Sequence, residues 1–231
     1  MRKLAGLLSG LALVACAPLA NAALTINYEI GAGPVITCGS GGDDGPVTCN
    51  FAGGGVNAAV VSSSSNSPGS LGVAEQFGST LEVTSTKAVT VEVWFTSQDF
   101  TTPIAGTYEA SLSTTATAAN STASAALTSC IDTSNGTAPA LGCAGGSLTN
   151  PTQTDSGAGS TSGTVFGGAG SLSTPYSLEQ ELTLTLAPGS DYNVITSQSI
   201  VVPEPTSIVL LGTAFLGITA LLRKKARRQL L

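Results

Sequence analysis

Histidine is absent from this chain of 231 residues, and only 10% of the residues are charged. Without an imidazole, the chain has no Ser–His or Cys–His nucleophile pair and no histidine metal ligand. The patterns of a dinucleotide loop, a phosphate loop and a Gly-x-Ser-x-Gly nucleophile elbow are also missing. We therefore predict no catalytic residue, no cofactor, no metal site and a protein that is not an enzyme.

Basic side chains are scarce in the central part of the chain. Between residues 23 and 205, Lys87 is the only one, against fourteen acidic residues. All other basic residues lie in the two terminal segments. Because an acidic surface repels the phosphate backbone, the sequence excludes nucleic acid as a partner.

The N-terminus has the organisation of an export signal. Arg2 and Lys3 precede an apolar stretch at 4–15, and Pro18 ends it. An apolar stretch of about 12 residues is too short to span a membrane as an uncleaved anchor. We predict a signal peptide at 1–22, with signal peptidase reading the small residues Ala20 and Ala22 and cleaving before Ala23. Cys16 at the end of Leu13–Cys16 leaves a lipidated N-terminus as an alternative.

The C-terminus carries a second apolar segment. Residues 206–222 have no charge, and as a helix they extend about 25 Å, which is the lower limit for a membrane span. We predict a transmembrane helix there, followed by a cytoplasmic membrane stop that places the acidic domain outside. The residues of this stop, within 223–228, are Arg223, Lys224, Lys225, Arg227 and Arg228.

A proline-flanked strip precedes that helix. In Val202-Pro203-Glu204-Pro205 the two prolines disfavour helix and hold Glu204 in an extended segment that a protease cleft can accept. The run from 202 to 228 resembles the PEP-CTERM sorting signal of Gram-negative bacteria. The resemblance implies that exosortase, a membrane peptidase, recognises Pro203, Glu204 and Pro205, and that the host makes extracellular polysaccharide. An ordinary single-pass anchor remains the alternative.

The region between the two terminal segments predicts an all-β fold. Apolar and polar residues alternate at 24–30, 80–85, 89–95, 106–112, 181–186 and 192–202, which is typical of strands with one buried face. The Ala-rich segment 111–128 also favours strand over helix. We predict an antiparallel β-sandwich-like ectodomain at 23–200, a hairpin turn at 188–191, and long loops at 39–45, 62–70 and 149–170.

Four cysteines remain after signal removal, and an even number in an exported chain indicates disulfides. Pairing them as neighbours in sequence needs the fewest long-range loop closures. The sequence therefore favours Cys38–Cys49 and Cys130–Cys143, with the other two pairings open.

A few polar and aromatic residues are weaker candidates for function. Glu179 and Glu181 would share one strand face, either as a carboxylate pair or, as we favour, as two solvated side chains. Asp43-Asp44-Gly45 is an acidic turn or a calcium ligand. Trp94, Tyr108 and Tyr176 would stack on sugar rings if exposed, but we favour their burial in the core. Glycosylation patterns begin at Asn120 and Asn135.

The combined expectation is an exported, non-enzymatic surface or extracellular-matrix protein with a sorting tail at 201–231. Before processing it would be tethered to the inner membrane, and afterwards it would lie at the cell surface or outside the cell. Exosortase and signal peptidase are the expected processing partners, and extracellular polysaccharide linked to biofilm is a further one. A carbohydrate-binding or adhesive module is the alternative.

Overall fold

The structure is a computed structural model, and it describes residues 23–42, 46–118, 123–137, 139, 146–149, 153–155 and 159–202. Every regular element in these ranges is a β-strand. The strands are β1 (Leu24–Ile30), β2 (Ile36–Gly41), β3 (Val47–Gly53), β4 (Val56–Ser65), β5 (Val73–Ser85), β6 (Val89–Phe100), β7 (Gly106–Ala118), β8 (Ala123–Asp132), β9 (Gly146–Thr149), β10 (Gln153–Asp155), β11 (Gly159–Ala169), β12 (Tyr176–Leu186) and β13 (Ser190–Val201).

The strands form two antiparallel sheets. The first, sheet A, has the order β10-β8-β12-β6-β1-β2, with β9 also paired to β8. The second, sheet B, has the order β11-β7-β13-β5-β4-β3. Buried residues from both sheets share the same hydrophobic clusters, so the two sheets pack face to face. The prediction of an all-β antiparallel fold is confirmed.

Alternation in the sequence explains which faces meet. On β12 the leucines at 182, 184 and 186 are buried, and on β13 Tyr192 and Val194 are buried. The intervening residues of β12, Thr183 and Thr185, are more exposed. Since successive side chains of a strand point to opposite faces, each apolar row lies between the sheets. The alternation at 24–30, 80–85, 89–95, 106–112, 181–186 and 192–202 correctly predicted strands.

A polar layer divides the core into two parts. The larger cluster is mostly aliphatic but includes Phe51, Phe95 and Tyr192, whereas the smaller one is built around Phe100, Tyr108 and Tyr176. Between them, Thr196 donates a hydrogen bond to Gln180, and the amides of Gln76 and Gln198 are bonded to each other. The Tyr108 hydroxyl donates to Gln198 Oε1 over 2.6 Å. Because buried amides need partners, this layer favours one register of the two sheets.

The predicted hairpin at 188–191 is wrong. The turn there is tight, with Ser190 N donating to Ala187 O, but β12 belongs to sheet A and β13 to sheet B. The turn therefore connects the two layers. A hairpin would place both apolar rows on one face of a single sheet, whereas this arch lets them pack against each other across the core.

The predicted long loops are also partly wrong. Residues 159–169 form β11, which pairs with β7 along its whole length, and β10 lies at 153–155. Residues 62–65 belong to β4, and residues 39–41 belong to β2. Glycine and serine have low strand propensity, but backbone pairing with a neighbouring strand outweighs that preference here.

No helix in the described ranges is long and apolar enough to cross a membrane. The segments at 1–22 and 203–231, with the signal peptide, the transmembrane helix and the basic stop predicted there, lie outside the described residues.

Candidate functional site

The predicted sorting and processing residues fall mostly outside the described ranges. This applies to Ala20, Ala22, the Pro203–Pro205 strip and the basic stop, so these assignments stay predictions. Ala23 is described, and its carbonyl accepts a hydrogen bond from Gln98 N over 3.1 Å. At the other end, Val202 N donates to Gly72 O over 2.9 Å. The sorting strip therefore follows directly after a residue that is bonded to the folded domain.

One predicted disulfide is confirmed. Cys38 on β2 and Cys49 on β3 are bonded to each other. Since β2 is an edge strand of sheet A and β3 an edge strand of sheet B, the bond links the two sheets along one side. Cys130 is also disulfide-bonded, and its partner lies outside the described residues. The pairing Cys130–Cys143 therefore stays a prediction.

The aromatic residues considered for sugar stacking are buried. Trp94 is 5% exposed, Tyr108 1% and Tyr176 0%. None of them offers a ring to a ligand, and the preference for burial is confirmed. The exposed aromatic residues of the described ranges are Phe77 at 47% and Phe166 at 65%. The exposure of these two rings could not be predicted from the sequence, because alternation assigns a strand residue to one face without showing whether that face is covered.

Acidic side chains cluster on the outer face of sheet A. Glu29 on β1 lies directly opposite Glu92 on β6, and Glu181 on β12 is paired with Trp94, two residues along β6. Burial raises the pKa of Glu92, and the charges of Glu181 and Glu29 raise it further. Like charges on neighbouring strands repel one another, so this row costs stability. We refer to Glu29, Glu92 and Glu181 as the carboxylate row.

Glu179 lies on the same face but in a different environment. Its side chain is fully buried, at 0% exposure. Among the residues that the structure describes, neither its Oε1 nor the Oγ of Ser177 has a hydrogen-bond partner, and its Oε2 lies 3.8 Å from the sulfur of Cys130. The expectation of two solvated carboxylates at 179 and 181 is therefore wrong for Glu179. The pattern of the strand predicts the correct face but not what covers that face.

A turn after β8 starts beside this part of the sheet, where Asp132 pairs with Ser177. Asp132 ends β8, and its carboxylate accepts hydrogen bonds from Ser134 N at 2.8 Å, from Ser134 Oγ and from Gly136 N at 2.8 Å. The turn then reaches β6, which lies on the far side of β12. It therefore crosses the outer face of β12 near Ser177. We call residues 132–137 the covering turn.

Asn135 fastens the covering turn to β6. Its Nδ2 donates to Asp99 Oδ1 over 2.7 Å, its Oδ1 accepts from Asp99 N over 2.9 Å, and its carbonyl accepts from Gln98 Nε2 over 2.7 Å. Asp99 and Asn135 both have positive φ, at 64° and 57°. Asn and Asp tolerate this region better than other residues with a Cβ. The segment Asp-Thr-Ser-Asn-Gly at 132–136 has the composition of a turn, which is the signal that reveals it in the sequence.

The pKa values of the two buried carboxyl groups, Glu179 and Asp132, shift in opposite directions. Burial raises the pKa of Glu179 to about 7, with a further rise from the charge of Asp132 and a reduction from the Ser177 hydroxyl. Burial is the largest of these effects, and in the described part of the chain neither Ser177 Oγ nor Glu179 Oε1 has a hydrogen-bond partner. Burial also raises the pKa of Asp132, but the hydrogen bonds from Ser134 and Gly136 outweigh it and hold that pKa below its usual value.

The arrangement does not resemble a carboxylate pair flanking a substrate. Glu179 is enclosed, while Glu181 lies half-buried two residues further along the same strand. Paired glycosidase acids face each other across a cleft. Among the described residues, no group of three or more Cys, Asp or Glu is placed to hold a metal ion. Asp43 and Asp44, the candidate calcium ligands, lie outside those residues, as does Asn120.

Comparison with known proteins adds one strong match, in the tail. Residues 201–228 match the family model of the PEP-CTERM protein-sorting motif. No curated protein matches the chain. A solved structure described as showing promiscuous carbohydrate-binding modules of the β-sandwich superfamily covers 74% of this chain and 82% of its own, with 11% identity and a TM-score of 0.30. At that score the likeness carries no argument.

The described residues form an all-β domain, and the motif at 201–228 implies an exported protein with a C-terminal membrane-anchoring sorting signal. The chain carries the PEP-CTERM protein-sorting motif at residues 201–228, as its resemblance predicted. The motif implies exosortase as its processing partner.

Proposed function

We propose that this chain is a non-enzymatic surface or extracellular-matrix protein that exosortase sorts and cleaves at its tail. The observation that carries the proposal is the sorting motif at 201–228. Its position supports this role, because the strip begins one residue after Val202, which is bonded to the domain. Cleavage there would release the two-sheet domain whole, at the cell surface or into extracellular polysaccharide.

The domain itself supports a role that does not involve catalysis. The chain lacks histidine, and among the described residues the carboxyl group with a strongly raised pKa, Glu179, is fully buried. A general acid or base must reach the substrate. Glu179 is fully buried and therefore does not meet that requirement.

The test is the mass of the mature C-terminus in a host with and without a functional exosortase. We expect a chain that ends near residue 203 only when exosortase is present. Glu204→Gln should abolish the cleavage, whereas Glu82→Gln, the same change at an exposed position of β5, should leave it unchanged. An intact tail through Leu231 in the host with exosortase would contradict the proposal and favour an ordinary single-pass anchor.

A second candidate function is carbohydrate binding on the outer face of sheet B. Phe77 and Phe166 are exposed there, on strands separated by two others, which places them about 14 Å apart across the sheet. Between them, the hydroxyls of Ser111 and Ser197 are hydrogen-bonded at 2.6 Å. Two aromatic rings with hydroxyls between them would suit a neutral polysaccharide chain.

Glycan-array binding tests this candidate. Phe77→Ala and Phe166→Ala should each weaken binding, while Ile195→Ala, which removes an exposed apolar side chain from the same face without removing a ring, should not. Absence of binding to every glycan, with and without calcium, would remove the candidate.

A further inference from the structure

The four edges of the two sheets are protected to different degrees. At one side, β2 and β3 have six and seven residues and are joined by the Cys38–Cys49 bond. At the other side of sheet A, β9 and β10 have only four and three residues. The remaining edge, β11 of sheet B, has eleven residues; among the described strands it is hydrogen-bonded only to β7, and Leu148 of β9 packs against it at Gly167. Short strands and covalent closure protect edges, so β11 is the least protected.

The composition of β11 makes it a good pairing edge. Gly159–Ala169 contains no charged residue and no proline, and these are the two kinds of residue that usually block pairing at an edge. Its partner register with β7 runs from Gly159↔Ala116 to Ala169↔Gly106 without a shift. A strand without a bulge presents a regular row of N–H and C=O groups along its free side.

The charge of the rest of the domain favours a neutral contact. Acidic residues outnumber the single lysine of the central region, so two copies repel each other over most of their surfaces. β11 itself adds nothing to this repulsion, because the strand is uncharged over its whole length. Phe166 on this strand is also 65% exposed, and pairing would remove part of its ring from water.

We propose that two copies of the chain pair antiparallel through β11, so that their B sheets join into one continuous sheet. An antiparallel strand pair is compatible with a two-fold axis, which makes the contact self-complementary. With the axis at Val165, Phe166 of each copy lies opposite Thr164 of the other, and the two rings are diagonal neighbours. A strand from another protein would fit the same edge. The second copy is the favoured occupant because it supplies the same uncharged strand and buries both rings.

The test is to measure self-association of the exported, mature protein by analytical ultracentrifugation over a concentration series. We expect a monomer–dimer equilibrium that tightens with added salt as the acidic surfaces are screened. Thr164→Glu places two carboxylates next to the axis and should raise the dimer dissociation constant by at least about tenfold. The control Thr115→Glu adds the same charge on the same face of β7, an interior strand, and should change it little.

Hydrogen exchange of the wild-type protein provides a readout that needs no variant. An edge strand pairs only half of its amides, so dimer formation should slow exchange at alternate residues of β11 as concentration rises. A protein that stays monomeric at every concentration would overturn the proposal. So would a dimer in which β11 gains no protection, or one that both variants weaken equally. Tail cleavage is measured separately by mass, so failure of one proposal is distinguishable from failure of the other.

Discussion

The outer faces of the two sheets are built from different side chains and do different things for the fold. On sheet A, the outer face holds a buried tryptophan, a buried carboxyl group under the covering turn, and the carboxylate row. On sheet B, it holds serine and threonine hydroxyls and two exposed phenylalanines. Because of this burial, the outer face of sheet A contributes to the stability of the domain. Exposure leaves the second face available for contacts with other molecules.

Truncation of an aromatic residue on each outer face should give the largest difference in stability between the two faces. Trp94 is 5% exposed, so Trp94→Ala should lower the free energy of unfolding by about 3–5 kcal/mol. Phe166 is 65% exposed, and Phe166→Ala should change it by less than about 0.5 kcal/mol in a dilute, monomeric sample. Urea titration of both variants checks this. Equal losses would mean that the outer face of sheet B is as important for stability as that of sheet A.

The buried carboxyl group on sheet A should make the stability of the domain depend on pH. The pKa of Glu179 is raised from 4.5 in the unfolded chain to about 7 in the folded one. Its protonated form therefore stabilises the fold fully below pH 4.5, and this contribution is lost as the pH rises through 7. Over that window the loss is about 3 kcal/mol.

Glu179→Gln removes this titration while preserving the shape of the side chain. The variant and the wild type should have similar stability near pH 4.5, and the variant should be more stable by up to about 3 kcal/mol at pH 8.5. Glu181→Gln, two residues along the same face, serves as the control and should follow the wild-type profile. Parallel profiles for Glu179→Gln and the wild type would show that Glu179 reaches water.

Substitutions in the covering turn should have a smaller effect on stability. Two substitutions at Asn135 can separate the contribution of its side-chain hydrogen bonds from that of its backbone conformation. Asn135→Gly removes the two side-chain bonds to Asp99 and keeps the positive φ at low cost, so it should lose about 1 kcal/mol. Asn135→Ala also strains the backbone and should lose about 1 kcal/mol more. Thermal unfolding of both variants measures the difference. Equal losses would mean that the backbone geometry contributes nothing.

Removing a charge from the carboxylate row should give the smallest change in stability. Glu92→Gln removes a charge that faces Glu29 directly, and it should raise stability by about 0.5 kcal/mol at low salt and by less at high salt. Glu109→Gln on sheet B removes a charge that faces Ser199 and Phe166 instead, and it should give no such gain. Denaturant titrations at two salt concentrations compare them. A salt-independent gain for Glu92→Gln would rule out charge repulsion as the cause.

Much of the strand content could be predicted from the sequence, because alternation is a local property. Residues 181–186 and 192–202 show their buried rows directly, and both lie in strands. Which sheet each strand joins could not be predicted. The turn at 188–191 has the composition of a hairpin turn, and only the packing of its two flanking strands against each other makes it an arch between layers.

The candidate site was predictable only in part. Strand periodicity correctly places Glu179 and Glu181 on one face, but the surroundings of Glu179 include Cys130 and Asp132, 49 and 47 residues earlier in the chain. In the same way, β11 has a weak strand pattern and forms through its pairing with β7. The burial of Glu179 and the formation of β11 both depend on contacts between segments that are distant in the chain. A local sequence pattern contains no information about such contacts.

The position of β13 determines how the domain would bear a mechanical load. This strand ends at Val201, one residue before the bond from Val202 to Gly72 and two before the Pro203–Pro205 strip, and it is hydrogen-bonded to β5 on one side and β7 on the other. A pull on the tail therefore runs along the strand and loads both ladders in shear, rather than opening them one bond at a time. While the domain remains attached through its tail, we expect it to withstand drag from flowing liquid better than a domain that is attached through an edge strand. Single-molecule stretching from the two ends would measure this resistance.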